Sequence, residues 1–277
     1  MNNYQYNNNN SFSLKELFKT NPLTIVLVYL IVYIFGTLLV SLIVSEVYAN
    51  IKNLSLQEVF NCGLAKPEDV NKQEIFYNIQ TYTNFFTYML LFITIPFFSR
   101  DYLKEDLSIF KDYKRVIIII ICAILFMLIS KGLSDLSSLI IDKMGYSDLT
   151  SQNEDLILKM CENGAKGLVV VSTVFFAPIV EELVYRKALI KLSERITNEW
   201  NKKVLEAIVN ISLSALIFAL PHMLSSQNYP VSVWIVLFMV YFISGALLAS
   251  IYYFNKKNIY ASTLAHTLNN LYAIMHI

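Results

Sequence analysis

The sequence predicts an all-α polytopic membrane bundle, about seven transmembrane helices enclosing a catalytic cavity, and three observations carry that expectation. Of 277 residues, 56% are hydrophobic and only 16% charged, against roughly 25% charged in soluble domains. The apolar residues fall in runs of about 20, the length that spans a bilayer. Three formal charges, Glu181, Glu182 and Arg186, directly follow the apolar stretch 168–180. Each charge at the centre of a bilayer helix costs about 2.5–3.5 kcal/mol, so such groups mark function before structure.

Residues 1–12 are an Asn-rich tail too polar to order itself. Ser13 and Glu16 have capping-box spacing, and Leu14, Leu17 and Phe18 then predict a short interfacial helix ending before Pro22. The run 23–45 exceeds the apolar part of a cleaved signal peptide and reads as a signal anchor. Further spans are expected near 81–98, 116–140, 166–189, 205–224, 231–254 and 258–276, with room for an eighth or for interfacial helices. Lys131 and Asp135 interrupt the third at i,i+4 spacing, where they can pair. The chain thus divides into 1–22, a polar tail and interfacial helix; 23–165, accessory spans with two outer loops near 46–80 and 141–165; and 166–277, the catalytic core.

Charge sorting orients the bundle. With the N-terminus inside, the inner segments hold Lys15 and Lys19, then Arg100, Lys104, Lys111, Lys114 and Arg115, then Arg186, Lys187, Lys191, Arg195, Lys202 and Lys203, then Lys256 and Lys257, fifteen of the 22 cations. The outer segments hold Lys52, Lys66, Lys72, Lys143, Lys159 and Lys166. The positive-inside rule then predicts a plasma-membrane protein with a cytoplasmic N-terminus and an outer C-terminus. A net charge of +1 with no basic block longer than two residues gives nucleic acid no footing. No internal repeat is visible, which argues against a transporter built from paired halves. Cys62, Cys122 and Cys161 include no C-x-x-C, so no cysteine zinc site is expected; Cys62 and Cys161 share the outer side, where a disulfide is chemically allowed.

Within the fourth span, Glu182 and Arg186 lie at i,i+4 and can neutralise each other, whereas Glu181 lies about 100° around the helix. Pro178 removes a backbone donor three residues upstream and frees a carbonyl. His222 ends an apolar span in Phe218-Ala-Leu-Pro-His222, and His266 precedes Asn270 by one turn. His276, near the outer terminus, reads as a hydrogen bonder between helices, with no part in catalysis. A carboxylate in a low-dielectric cavity can serve as a general base, and imidazole and amide groups can hold a water or stabilise an oxyanion. Glu181, His222 and His266 could equally ligate a divalent metal such as zinc.

Glu-Glu-x-x-x-Arg, Phe-x-x-x-His and His-x-x-x-Asn, in this order on successive hydrophobic segments, resemble the CPBP family of intramembrane proteases, which includes type II CAAX prenyl endopeptidases and Abi-type, bacteriocin-associated proteins. The resemblance covers about 166–276; residues 1–165 resemble nothing we can name. It implies that Glu181 activates water, assisted by His222, with His266 and Asn270 as the oxyanion site and Glu182 and Arg186 as support. The family is often labelled metalloprotease, but the chain lacks the His-Glu-x-x-His helix of zincins, and we expect no metal or other cofactor. The expected partners are the lipid bilayer and a peptide or membrane-protein substrate cut near the inner membrane face. Competing readings are a proton-coupled transporter, which needs ionisable groups in the early spans, and a non-enzymatic immunity or scaffold protein, which would tolerate loss of Glu181. A prenylated C-terminus, a secreted precursor and a regulatory membrane protein all remain open as substrates. If His222 belongs to a span starting at Val204, it lies about 27 Å along that helix, so residues 204–210 are expected to form a separate interfacial helix.

Overall fold

The structure, a computed structural model, describes residues 20–276 other than 65, 148, 150 and 225–228. The expectations for the Asn-rich tail and for the interfacial helix of residues 13–19 lie outside the described residues. Ten helices follow one another, and no strand occurs among the described residues: α1 (Pro22–Lys52), α2 (Leu56–Leu64), α3 (Val70–Phe98), α4 (Arg100–Asp106), α5 (Tyr113–Lys143), α6 (Gln152–Asn163), α7 (Lys166–Trp200), α8 (Lys203–Met223), α9 (Val231–Phe254) and α10 (Ile259–Met275).

Side-chain caps set several starts. Asn21 accepts from the Leu23 amide at 3.1 Å with Pro22 in the first turn, Asp112 from Arg115 at 3.3 Å, Ser151 from Glu154 at 3.4 Å and Asn258 from Tyr260 at 3.0 Å. Asn53 and Asn201 take left-handed φ of 54° and 51° at the ends of α1 and α7, a conformation asparagine tolerates better than most residues.

Six helices, α1, α3, α5, α7, α8 and α9, are long and apolar enough to cross a membrane, and the chain is a multi-pass membrane protein. The seventh expected span, α10, is 17 residues, about 25 Å and just short of the hydrocarbon core. The two expected outer loops are largely helical: α1 runs seven residues past the predicted end of its span, and α2 and α6 fill most of the remainder. Their amphipathic sequences bury one face against α3, as in the cluster of Phe76, Tyr77, Met160, Cys161 and Val169. Cys62 and Cys161 are both buried free thiols, so the expected disulfide is absent; each helix packs its cysteine inward, on its apolar face.

Residues 204–210 do not form a separate interfacial helix. They are the first two turns of a continuous α8, because their polar groups are satisfied in place: Glu206 accepts from the Lys202 amide at 3.2 Å, and buried Asn210 pairs with Thr197 at 3.1 Å. Helix α8 lies along α9 through small residues. A Cβ on Gly245 would stand 3.2 Å from the Ala215 Cα and 2.9 Å from Phe218, so the glycine permits the close approach that seats Phe218 in the core.

One end of the bundle is pinned by a buried ion pair. Lys187 donates to both oxygens of Asp106 at 2.7 Å and to the Lys257 carbonyl at 3.2 Å. Asp106 also accepts from the Ile259 amide at 2.9 Å, and its own carbonyl accepts from Asn258 at 2.8 Å. Helices α4, α7 and the α9–α10 turn are thereby joined with every charge partnered, which a buried pair requires.

Candidate active site

Helix α7 builds the centre of the site. It carries two π-helical segments, Val171–Phe176 and Glu182–Ala188, a wide-turn geometry frequent at functional sites. The first is coupled to Pro178. The Ala177 amide bonds to the Ser172 carbonyl, and Pro178 has no N–H, so the Thr173 carbonyl has no donor on its own helix. The Asn270 side-chain amide donates to that carbonyl at 2.9 Å, tying α10 to α7 and fixing which end of the amide carries the hydrogens. One of its two N–H groups is then committed, and the other is left for a ligand.

The second π segment holds Glu182 and Arg186, each with no side-chain exposure, as an ion pair at 3.2 Å. The guanidinium also donates to Ser214 at 3.0 Å and lies 4.6 Å from the Phe218 ring centroid, while Ser214 donates to the Tyr185 carbonyl at 2.7 Å. The other oxygen of Glu182 contacts Nδ1 of His266 at 3.0 Å. Since an ionised carboxylate only accepts, His266 carries a proton on Nδ1. Its Nε2 stands 3.9 Å from Glu181. Glu181 itself accepts from the Tyr88 hydroxyl at 2.9 Å. Adjacent glutamates therefore have different surroundings: Glu182 is enclosed by a guanidinium and an imidazole, and Glu181 faces a cavity.

That cavity has a volume of about 440 Å³ and is lined by Glu181, His222, His266 and Asn270. Glu182 and Arg186 are buried behind its wall. The Nδ1 of His222 lies 2.9 Å from the Phe218 carbonyl, so it must donate there, and a neutral ring keeps Nε2 as an acceptor. The ring is sandwiched between Phe218 and Tyr241, each with its centroid 4.7 Å away. Phe218 also meets the edge of His266 at 5.8 Å. The phenylalanine of Phe-x-x-x-His thus spaces both histidines and covers the arginine. Among the described residues no group of three His, Cys, Asp or Glu side chains could hold a metal ion. The alternative ligand set Glu181, His222 and His266 does not form such a group, although the Nδ1 bonds of both histidines leave each Nε2 directed elsewhere, as in a metal-bound imidazole.

Sequence reasoning missed what α3 contributes. Gln80, Asn84 and Tyr88 all line the cavity, and Tyr88 holds Glu181. The signal was partial: Gln80, Asn84 and Tyr88 recur at i, i+4 and i+8 and so share one face of α3, but none carries a formal charge and other polar residues surround them. His276, read as a hydrogen bonder between helices, instead meets the Tyr272 carbonyl of its own helix at 2.9 Å; it is exposed and borders the cavity, which extends to the end of the bundle where α6 lies. This is the end opposite the Asp106–Lys187 pair, whereas cleavage near the inner face was expected at the cation-rich end.

Residues 164–272 match the family described as Rce1-like, Type II CAAX prenyl endopeptidase Rce1-like. No curated protein and no solved structure matches the chain.

Proposed function

We propose that this chain, a CPBP-family intramembrane protease by virtue of residues 164–272, hydrolyses a peptide bond with water activated by Glu181. The observation that carries the reading is the asymmetry of the two glutamates: Glu182 is neutralised and enclosed, while Glu181 meets the cavity within 3.9 Å of His266 Nε2. A general base needs the second environment.

In this mechanism the Glu181 carboxylate takes a proton from water as the water oxygen bonds to the scissile carbonyl carbon, and His222 Nε2 accepts the other water hydrogen to orient it. The carbonyl oxygen becomes an oxyanion that receives hydrogen bonds from His266 Nε2 and the free N–H of Asn270. Protonated Glu181 then gives its proton to the leaving nitrogen as the C–N bond breaks. For His266 to donate from both nitrogens its ring carries both protons. The charges of Glu181, Glu182, Arg186 and His266 then sum to zero, which suits a buried cluster. No step needs a metal.

The test is cleavage by purified, reconstituted protein of peptide pools derived from membrane and exported proteins, with and without EDTA or phenanthroline. Turnover is expected to be nearly unchanged by chelation. Complete loss that zinc restores would replace water activation by Glu181 with a metalloprotease mechanism.

A second expectation follows from Pro178. Pro178→Ala returns an N–H one π-turn after Thr173 that competes with Asn270 for the freed carbonyl. The expected result is a loss in kcat on the order of tenfold with no loss of thermal stability, milder than the roughly 10²–10³-fold loss on removing an oxyanion donor. Unchanged kcat in Pro178→Ala together with a crippled Asn270→Ala would show that the Thr173 anchor does not position Asn270.

A further inference from the structure

The two ends of the bundle differ in charge, and the residues lining the cavity reach only one of them. At the closed end, contacts join the α3–α5 connection, the end of α7 and the α9–α10 turn: Asp106 with Lys187, Asn258 and Ile259, Lys257 with Glu194 at 2.5 Å, and Lys191 over the Tyr102 ring at 4.2 Å. These segments carry Arg100, Lys104, Lys111, Lys114 and Arg115, then Lys191, Arg195, Lys202 and Lys203, then Lys256 and Lys257. At the open end, Asn78 donates to the Asn163 carbonyl at 3.3 Å, Gln80 to the Gly63 carbonyl at 2.9 Å, and Ser151 pairs with Tyr241 at 2.5 Å, so α2, α3, α6 and α9 meet there. Its lysines are few, and Lys72 and Lys159 are neutralised by Glu58 and Asp155.

Depth agrees with this sorting. Lys131, which borders the cavity and pairs with Asp135 at 2.5 Å, is 18 residues from the start of α5, about 27 Å and close to the far interface. Glu181 is only six residues, about 9 Å, from the Lys187 layer, and 15 residues, about 22 Å, from the start of α7. The cavity is thus a deep funnel whose floor lies nearer the basic end and whose mouth lies at the cation-poor end. Short connections rich in Lys and Arg stay on the cytoplasmic side.

We propose that the catalytic cavity opens on the extracytoplasmic side of the membrane and takes an extended polypeptide segment presented there, not a prenylated cytoplasmic C-terminus. The substrate half rests on the proteolytic reading above; the sidedness does not. The lining favours a peptide backbone. Gln80, Asn84, Asn153, Asn269 and Asn270 put five carboxamides around the funnel; Gln80, Asn84 and Asn270 commit one N–H each to Gly63, Ser172 and Thr173, and a carboxamide has a second to offer. Apart from histidines, its charged side chains are Lys131, Glu154 and Glu181, and Lys131 is already paired, so no strong field selects for a charged segment.

Single cysteines at Asn153 and His276 near the mouth, and at Lys111 and Lys202 at the basic end, in a chain whose native cysteines are replaced by serine, report sidedness through a membrane-impermeant maleimide. The mouth positions are expected to label in intact cells and the basic-end positions only after permeabilisation; the reverse pattern overturns the proposal. Alkaline phosphatase and green fluorescent protein fused to the C-terminus read the same fact with the native cysteines in place, phosphatase being expected to be active and the fluorescent fusion dark. The substrate half is tested by mapping new peptide termini in cells carrying wild-type protein but not Glu181→Gln. Termini at outer flanks of membrane or exported proteins support it, and termini at cytoplasmic flanks refute it. No Glu181-dependent termini at all would count against the proteolytic reading and refute the substrate half with it, leaving sidedness as the labelling reads it.

Discussion

Glu181→Gln is expected to lower cleavage by at least about 10²-fold while the protein still inserts and purifies. The substitution keeps the size of the side chain and its hydrogen bond from Tyr88, which the remaining amide oxygen can still accept, but an amide cannot take a proton from water. Because Glu181 faces the cavity and Glu182 holds the buried charges, thermal unfolding in detergent should change little. Glu182→Gln should behave differently. It weakens the hold on both Arg186 and His266, so activity and stability should fall together. The comparison is made by initial cleavage rates alongside melting curves for the same preparations. Undiminished cleavage by Glu181→Gln would remove the general-base assignment, and an immunity or scaffold function, which never needed that carboxylate, would then account better for the chain.

Arg186→Ala is expected to cost about 3–5 kcal/mol of stability, the range for removing one partner of a buried ion pair. Three losses coincide: Glu182 keeps its charge with no cation beside it, Ser214 loses its donor from α7, and the Phe218 ring loses the guanidinium packed on it. Arg186→Lys should recover only part of this, because an ammonium cannot reach Glu182 and Ser214 together with a planar fork. The double variant Glu182→Leu with Arg186→Met should regain much of the melting temperature by removing both charges yet stay inactive, because His266 loses the carboxylate that fixes its Nδ1 proton. An active double variant would mean that Glu182 has no part in orienting His266.

The residues of the candidate site were legible because polar and charged groups in an apolar span are costly and therefore rare. Glu181, Glu182, Arg186, His222, His266 and Asn270 stood out for that reason, and the i,i+4 pairing of Glu182 with Arg186 followed from helix geometry alone. Tyr88 was not legible in the same way, since a single tyrosine inside an apolar span carries no formal charge and costs little. Nor was the role of Phe218, which acts by packing against two histidines from different helices. The start of α8 was misread as a separate interfacial helix because the burial of Asn210 could not be anticipated. A polar residue two turns into a helix looks misplaced in lipid until its partner Thr197 is seen on the neighbouring helix.

By itself, then, the sequence determined that this chain is a helical membrane protein and where six of its long apolar helices lie, and it singled out the candidate site residues and, through its cations, the end of the bundle expected to face the cytoplasm. These follow from local terms: hydrophobic run length, the cost of buried charge and the distribution of Lys and Arg along the chain. Tertiary structure alone decided which glutamate faces the cavity, that Asn270 rests on a carbonyl freed by Pro178, and at which end the cavity opens. Each of these depends on contacts between helices far apart in the chain, α7 with α10, α3 with α7 and α6 over the mouth. Periodicity tells which faces of a helix are apolar, but partner and register are set by packing against neighbours that a single segment does not encode.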